Sequence, residues 1–272
     1  MSRTTISLIA ILAGGCTLLA SAAQAGWPGD PAKCKPDAVK AGSVCMDKYE
    51  ASVWSVPNPT TTNKKLVAKI QNGVVKLADL TAGGATQISP SRSCSPSFPG
   101  TFPANGQWTA PLYAVSVAGV HPTACVTWFQ AQQACGNSRK RLPSNGEWQL
   151  AASGTPEGAA GDDGSTQCNT STAADATDTG SRSACVSNYG AFDMVGNVEE
   201  WVADWMPRST ACGSWSGSSD QQCLGGAATT GEPGALIRGG YFGSGSFAGP
   251  FTVYGSYSPS FSVASFGFRC AR

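Results

Sequence analysis

The chain has 272 residues, with 18 Lys and Arg against 17 Asp and Glu and a formal net charge of +1. Scattered cations near neutrality exclude a polyanion-binding surface, so neither nucleic acid nor a charged membrane is expected as a partner. The length fits one large domain or two small ones. The single histidine, His121, and the lack of any Cys-x-x-Cys leave little room for Ser-His or Cys-His catalysis or for tetrahedral zinc.

In chain order, Arg3, the apolar run "ISLIAILAGGCTLLA" and "SAAQA" come first, before Gly26. This pattern predicts a secretory signal peptide over residues 1–25, cleaved after Ala25, and hence an exported protein: secreted, periplasmic or on the cell surface. Glycines and polar residues interrupt the run, so no transmembrane span is expected; a lipid anchor at Cys16 is the alternative. Of eleven cysteines, Cys16 falls in this leader and ten remain. An even number in an exported chain reads as disulfides, with local pairs Cys34–Cys45, Cys168–Cys185 and Cys212–Cys223. The spacing leaves the partners of Cys94 and Cys125 open.

Residues 26–44 read as a lead-in tied down by Cys34–Cys45. "VCMDKYEASVW" (Val44–Trp54) alternates as a strand does. Ser55–Gln107, rich in Thr, Pro, Gly and Ser, reads as loops and a hairpin with one strand-like piece, "GVVKLADL". Two helices follow. Thr127 with Gln130 forms a capping box, with Trp128, Ala131 and Cys135 on one side and Gly136 as the stop. Ser144 with Glu147 forms another, with Trp148 and Ala151 on the buried face, and Pro143 keeps Leu142 extended. Gly154–Arg182 reads as surface loop, Ser187–Trp205 as a Trp-rich turn region, and "LIRGG" as a short strand and turn. Two short helices among more numerous strands and loops give an α+β class.

The last segment has an unusual alphabet. From Tyr241 to Phe266 there is no Lys, Arg, Asp, Glu, Gln, Asn, Met, Trp, Cys, Leu or Ile. Ser, Gly, Phe, Tyr, Ala and Val dominate. Tyr and Phe offer large, stiff contact area at little cost in rotamer freedom, and Ser and Gly adapt around them, as in the binding loops of antibodies.

"VTWFQAQQAC…KRLPSNGEWQLAASG", "NYGAFDMVGNVEEW", "IRGG" and "GFRC" together resemble the formylglycine-generating enzyme (sulfatase-modifying factor) family, over residues 45–272. The resemblance implies a C-type lectin-like fold: a small twisted antiparallel sheet, two helices and long packed loops. It implies a disulfide between Cys135 and Cys270, and a structural calcium ion held by Asn197, the carbonyl of Val198 and Glu200, oxygen ligands of the kind calcium takes. Glu199 stands where that block usually has Trp. In the family's oxidases a cysteine pair lies between "RGG" and "GFRC"; here Leu224–Arg269 has none, and a soft thiolate has no substitute in Ser or Tyr for copper chemistry. No catalytic activity is therefore expected.

The same interval resembles a second group with this fold, the variable proteins of diversity-generating retroelements. In these, a C-terminal segment bracketed by fixed scaffold is rewritten by adenine-directed mutagenesis. The resemblance implies a binding surface over residues 241–266, carried by Tyr241, Phe242, Ser244, Ser246, Phe247, Phe251, Tyr254, Ser256, Tyr257, Ser260, Phe261 and Val263. Tyr241, Phe242, Phe247, Tyr254, Tyr257 and Phe261 should share one exposed face above buried Gly267, Phe268 and Cys270. A divergent oxidase and a catalytically silent structural member of the enzyme family are the alternatives.

Overall fold

The computed structural model describes residues 33–272, so the expected leader, Cys16 and the start of the lead-in lie outside the described residues. Among the described residues there are eleven strands in three sheets and four α-helices, a mixed α and β architecture with long connections.

A hairpin of β1 (Ala38–Ala41) and β2 (Val44–Asp47) comes first, so part of the lead-in belongs to the folded body. β3 (Ala51–Ser55) lies centrally between β4 (Thr86–Ile88) and β5 (Leu112–Ser116), both antiparallel to it. The stretch read as one strand is thus two, β2 and β3, separated at Lys48–Glu50. Both faces of the three-stranded sheet are covered. Ala51, Val53, Leu112 and Ala114 face the main core with α3 (Trp128–Asn137), while Trp54, Tyr113 and Val115 face a second cluster.

That second cluster corrects the reading of residues 55–107 as loops and a hairpin. α1 (Lys64–Gln71) and α2 (Leu77–Ala82) fall in this stretch, and "GVVKLADL" is a turn entering α2 rather than a strand. Leu66 and Ile70, four residues apart, place one stripe of α1 against Trp54 and Tyr113. The amide of Lys76 donates to the Asp79 carboxylate at the start of α2, a local bond that favours helix over strand.

α3 and α4 (Asn145–Ala151) start where the capping boxes place them. Thr127 accepts from the Gln130 amide, and Ser144 from the Glu147 amide. α3 does not stop at Gly136 but runs on to Asn137. The largest sheet runs in the order β11 (Phe266–Phe268), β6 (Glu199–Met206), β9 (Gly234–Arg238), β10 (Val253–Tyr257), β8 (Gln221–Gly225), β7 (Ala211–Ser214). β11 pairs parallel with β6, and β10 parallel with β8.

Ten cysteines form five disulfides: Cys34–Cys45, Cys94–Cys125, Cys135–Cys270, Cys168–Cys185 and Cys212–Cys223. Cys94 and Cys125, whose partners the spacing left open, are bonded to each other. Ion pairs complete the interior: Lys140 lies 2.6 Å from both Asp37 and Asp47, all three buried. The buried carboxylates thus take Lys140, while Arg141 pairs with half-exposed Glu147 at 2.6 Å.

Candidate ligand-binding site

The segment 241–266 starts at a turn that needs glycine. Gly239 has φ +87°, and a Cβ there would lie 2.8 Å from the Met194 carbonyl oxygen. After Arg238 the chain leaves β9, makes a 3-10 turn at Gly245–Phe247, returns as β10, loops out again, and enters the interior as β11. Gly267 is pressed against Val198, whose Cγ2 would stand 2.6 Å from an added Cβ, so the exit is as constrained as the entry. Phe266, Gly267, Phe268, Arg269 and Cys270 are all buried.

Between these anchors the rings differ in exposure. Phe247 (53 %), Phe251 (46 %) and Phe261 (42 %) are exposed, and Tyr241, Phe242, Tyr254 and Tyr257 are half-buried. They do not share one face. Tyr241, Tyr254, Tyr257, Phe261 and Val263 line a cavity of about 320 Å³ with Glu199, Ser265 and Phe266. Phe251 lines a different depression with Gln149 and Leu150, and another with Trp215. Phe242 lies edge-on to Tyr241, and Phe247 sits on the 3-10 turn. Tyr254 and Tyr257 also pack on the main core, and the Tyr254 hydroxyl donates to Gln221, so both carry part of the fold as well as the cavity wall.

The serines serve mostly local bonds. Ser244 Oγ accepts from the Tyr241 amide, the Ser246 carbonyl accepts from Ser219, and Ser260 donates to Glu232. Ser256 is half-buried on β10.

Glu199 is the residue that sequence reading did not assign to this surface. It opens β6, is only 6 % exposed, and its one hydrogen-bond partner through the side chain is Ser265 Oγ at 3.5 Å. Burial pushes its carboxyl up to about 8. Burial, with Glu199 next, also raises the Tyr254 and Tyr257 hydroxyls. The signal in the sequence was Glu199 itself, a charge at the first position of "EEWVADWM".

The residues expected to hold calcium are engaged elsewhere. Both Glu200 oxygens accept from Arg269, at 2.5 and 2.7 Å, and one also accepts from the Trp148 indole at 2.7 Å. Asn197 Oδ1 accepts from the amide and hydroxyl of Thr177 and from Asn169, and its Nδ2 donates to Glu50 at 2.5 Å. The Val198 amide donates to the other Glu50 oxygen at 3.1 Å. In this arrangement the Glu200 carboxylate is bound to a guanidinium, so Arg269 brings positive charge to the place where the resemblance implies an ion.

Deep acids set a pH dependence. Burial pushes Asp193 up to about 7, as it does Glu199 to about 8. A carboxyl that keeps its proton in the native state and loses it in the unfolded chain contributes stability that falls as pH rises from about 4.5 towards its folded value. Melting temperature should therefore decline between pH 5 and pH 9. Glu199→Gln, which keeps the shape but cannot ionise, should flatten that decline by a few kcal/mol at most. A melting profile as steep in the variant as in the parent would refute the assignment.

Residues 33–272 match the model of the sulfatase-modifying factor enzyme 1-like domain. The chain belongs to that family. Its match to the formylglycine-generating enzyme of Streptomyces coelicolor is 31 % identical over 170 residues, 56 % of this chain and 52 % of that enzyme. A further similar protein is the serine/threonine-protein kinase Pkn1 of Chlamydia trachomatis serovar L2, 37 % identical over 86 residues. Those residues are 31 % of this chain and 14 % of the kinase, so the chain spans only a small part of that relative. Among solved structures, Major Tropism Determinant I1 Variant aligns over 89 % of this chain and 54 % of its own, with a TM-score of 0.49 and 19 % identity. PvdO from Pseudomonas aeruginosa aligns over 91 % and 89 %, with 0.43 and 20 %. The sulfatase-modifying factor family match begins at residue 33 and so takes in most of the stretch read as a lead-in.

Proposed function

We propose that this is an exported, non-catalytic ligand-binding protein whose segment 241–266 is a diversified binding surface on a C-type lectin-like scaffold. The observation that carries the reading is the contrast within one segment. Exchangeable Phe, Tyr, Ser and Val side chains line cavities or face solvent, while the residues that bracket them are buried and constrained. Exposed positions tolerate exchange within about half a kcal/mol, whereas core positions lose several.

Two further observations support it. All ten cysteines of the described residues are in disulfides, which suits an oxidising compartment and leaves no free thiol for the oxidation the family's enzymes perform. The interval between "RGG" and "GFRC" carries Ser, Tyr and Phe where that chemistry needs cysteine.

The test has a protein arm and a genetic arm. Phe247→Ser, Phe251→Ser and Phe261→Ser combined should melt within a few degrees of the parent, since each ring is exposed. The gene should be followed by a near-copy of the segment encoding residues 238–272, beside a reverse transcriptase. A triple variant that unfolds, or a locus without the near-copy, would overturn the diversified reading.

A further inference from the structure

Glu199 stands apart from the other buried carboxylates of the described residues. Asp37 and Asp47 share Lys140, and Glu200 holds Arg269. Glu50 and Asp193 accept backbone amides, from Val198 and Gly180, and lie in the field of Arg269. Asp220 accepts the Phe251 amide. Glu199 has neither a cation nor a backbone amide at its carboxyl, only the distant Ser265 hydroxyl.

What Glu199 does face is the cavity and its rings. Tyr257 and Phe261 stack with centroids 5.2 Å apart, Tyr254 lies 6.4 Å from Tyr257, and Phe266 meets Tyr257 edge-on at 4.9 Å. Tyr241 completes the lining. The faces of aromatic rings carry negative potential and attract cations, most strongly where water is excluded. A carboxyl without a cation in the lining of a ring-walled cavity is therefore a cation subsite, and a volume of about 320 Å³ is that of a small ligand pocket.

We propose that Glu199, Tyr241, Tyr254, Tyr257 and Phe261 form a cage for an alkylammonium group of the ligand, with Glu199 as its counter-ion. The proposal rests on the reading of 241–266 as a binding surface and adds a division of labour to it. The rings lie inside the exchangeable segment, whereas Glu199 lies outside it, on β6. The anionic anchor is fixed, and the shape around it is what varies.

Binding of the cation should draw the proton off Glu199. The titratable groups that face it are the hydroxyls of Tyr241, Tyr254 and Tyr257, on β10 and the loop after β9; the facing residues from the β11 side, Ser265 and Phe266, carry no charge. The Tyr254 and Tyr257 hydroxyls do not ionise between pH 6 and pH 9, since burial, and after it Glu199, raises both. Affinity for an ammonium should thus rise roughly ten- to a hundredfold between pH 6 and pH 9, with a proton released on binding at the lower pH.

The test is a calorimetric titration of the folded protein with three probes: choline, n-butylammonium, and the neutral carbon isostere of choline, in which tert-butyl replaces trimethylammonium. A cation should bind at least tenfold more tightly than the isostere at pH 9, with the stated pH dependence. Preference for choline would mark a quaternary headgroup as the source of the cation, and preference for n-butylammonium a lysine-like side chain. Glu199→Gln should lose the pH dependence and about tenfold in cation affinity while still binding the isostere, which shows that the cavity is intact. Equal binding of isostere and choline, pH-independent cation binding by the parent, or binding of no probe would overturn the cage. None of these results would touch the diversified surface, which stands or falls on the locus and the exposed-ring variants.

Discussion

Replacing Cys135 and Cys270 together by Ala should lower stability by up to about 5 kcal/mol. The bond closes 135 residues of chain, and the loop-entropy relation gives about that figure for such a length. For a domain of this size, each kcal/mol corresponds to roughly 2–4 °C, so the melting temperature should fall by about 10–20 °C. Both sulfurs are fully buried in the main core, and their loss also removes packing against Leu112, Ala131 and Phe268. The effect exceeds that of opening Cys34–Cys45 or Cys212–Cys223, each of which spans 11 residues. A change of less than about 3 °C in the double variant would show that the β11 end is held without it.

Arg269→Met should cost about 3–5 kcal/mol, the usual penalty for removing one partner of a buried ion pair. Arg269 is fully buried and holds five oxygens: two of Glu200, and the carbonyls of Asp47, Phe192 and Asp193. Without it, Glu200, Asp193 and Glu50 become three acids in one interior, with only Arg182 near Asp193 to offset them, and burying them unpaired is costly. Arg269→Lys should recover only part of the loss, because an ammonium cannot span the carboxylate and the carbonyls in one plane. Adding Glu200→Gln to Arg269→Met should cost less than the sum of the two, since the charge that Met strands is then gone. Urea unfolding of the parent and the four variants, Glu200→Gln alone included, measures all these differences. Strict additivity would mean that the pair is not coupled.

The sequence made some of this readable and hid the rest for a physical reason. α3 and α4 were legible because their capping boxes pair residues three apart, Thr127 with Gln130 and Ser144 with Glu147, so the start is written locally. α1 and α2 were not, because their apolar residues count only against Trp54 and Tyr113 on a sheet whose second face could not be known to need cover. The bracket of the candidate surface was legible from "RGG" and "GFRC". Its interior was not. Tyr254 and Tyr257, three residues apart on β10, line one cavity across a register shift between them, which leaves no mark in the alphabet, and Phe251 lines another. The pairing of Glu200 with Arg269 was not legible for a related reason: the two are 69 residues apart, so the short block around Glu200 reads as a self-contained loop.

The five disulfides also impose an order in time. Four of them join cysteines 11 to 31 residues apart, so each can form soon after its second cysteine is made. The fifth cannot form until Cys270 exists. At ~5–20 residues per second, roughly 7–27 s of synthesis separate it from Cys135. Until then α3 carries an unpaired thiol; once β6 is made, it lacks its parallel neighbour β11 and Glu200 lacks its arginine. Residues 241–266 are therefore made before the clasp that secures their far end. On the function proposed above, a rewritten surface of any composition would wait in the unfinished molecule for Cys270, and the bond that then closes joins two residues outside the rewritten segment.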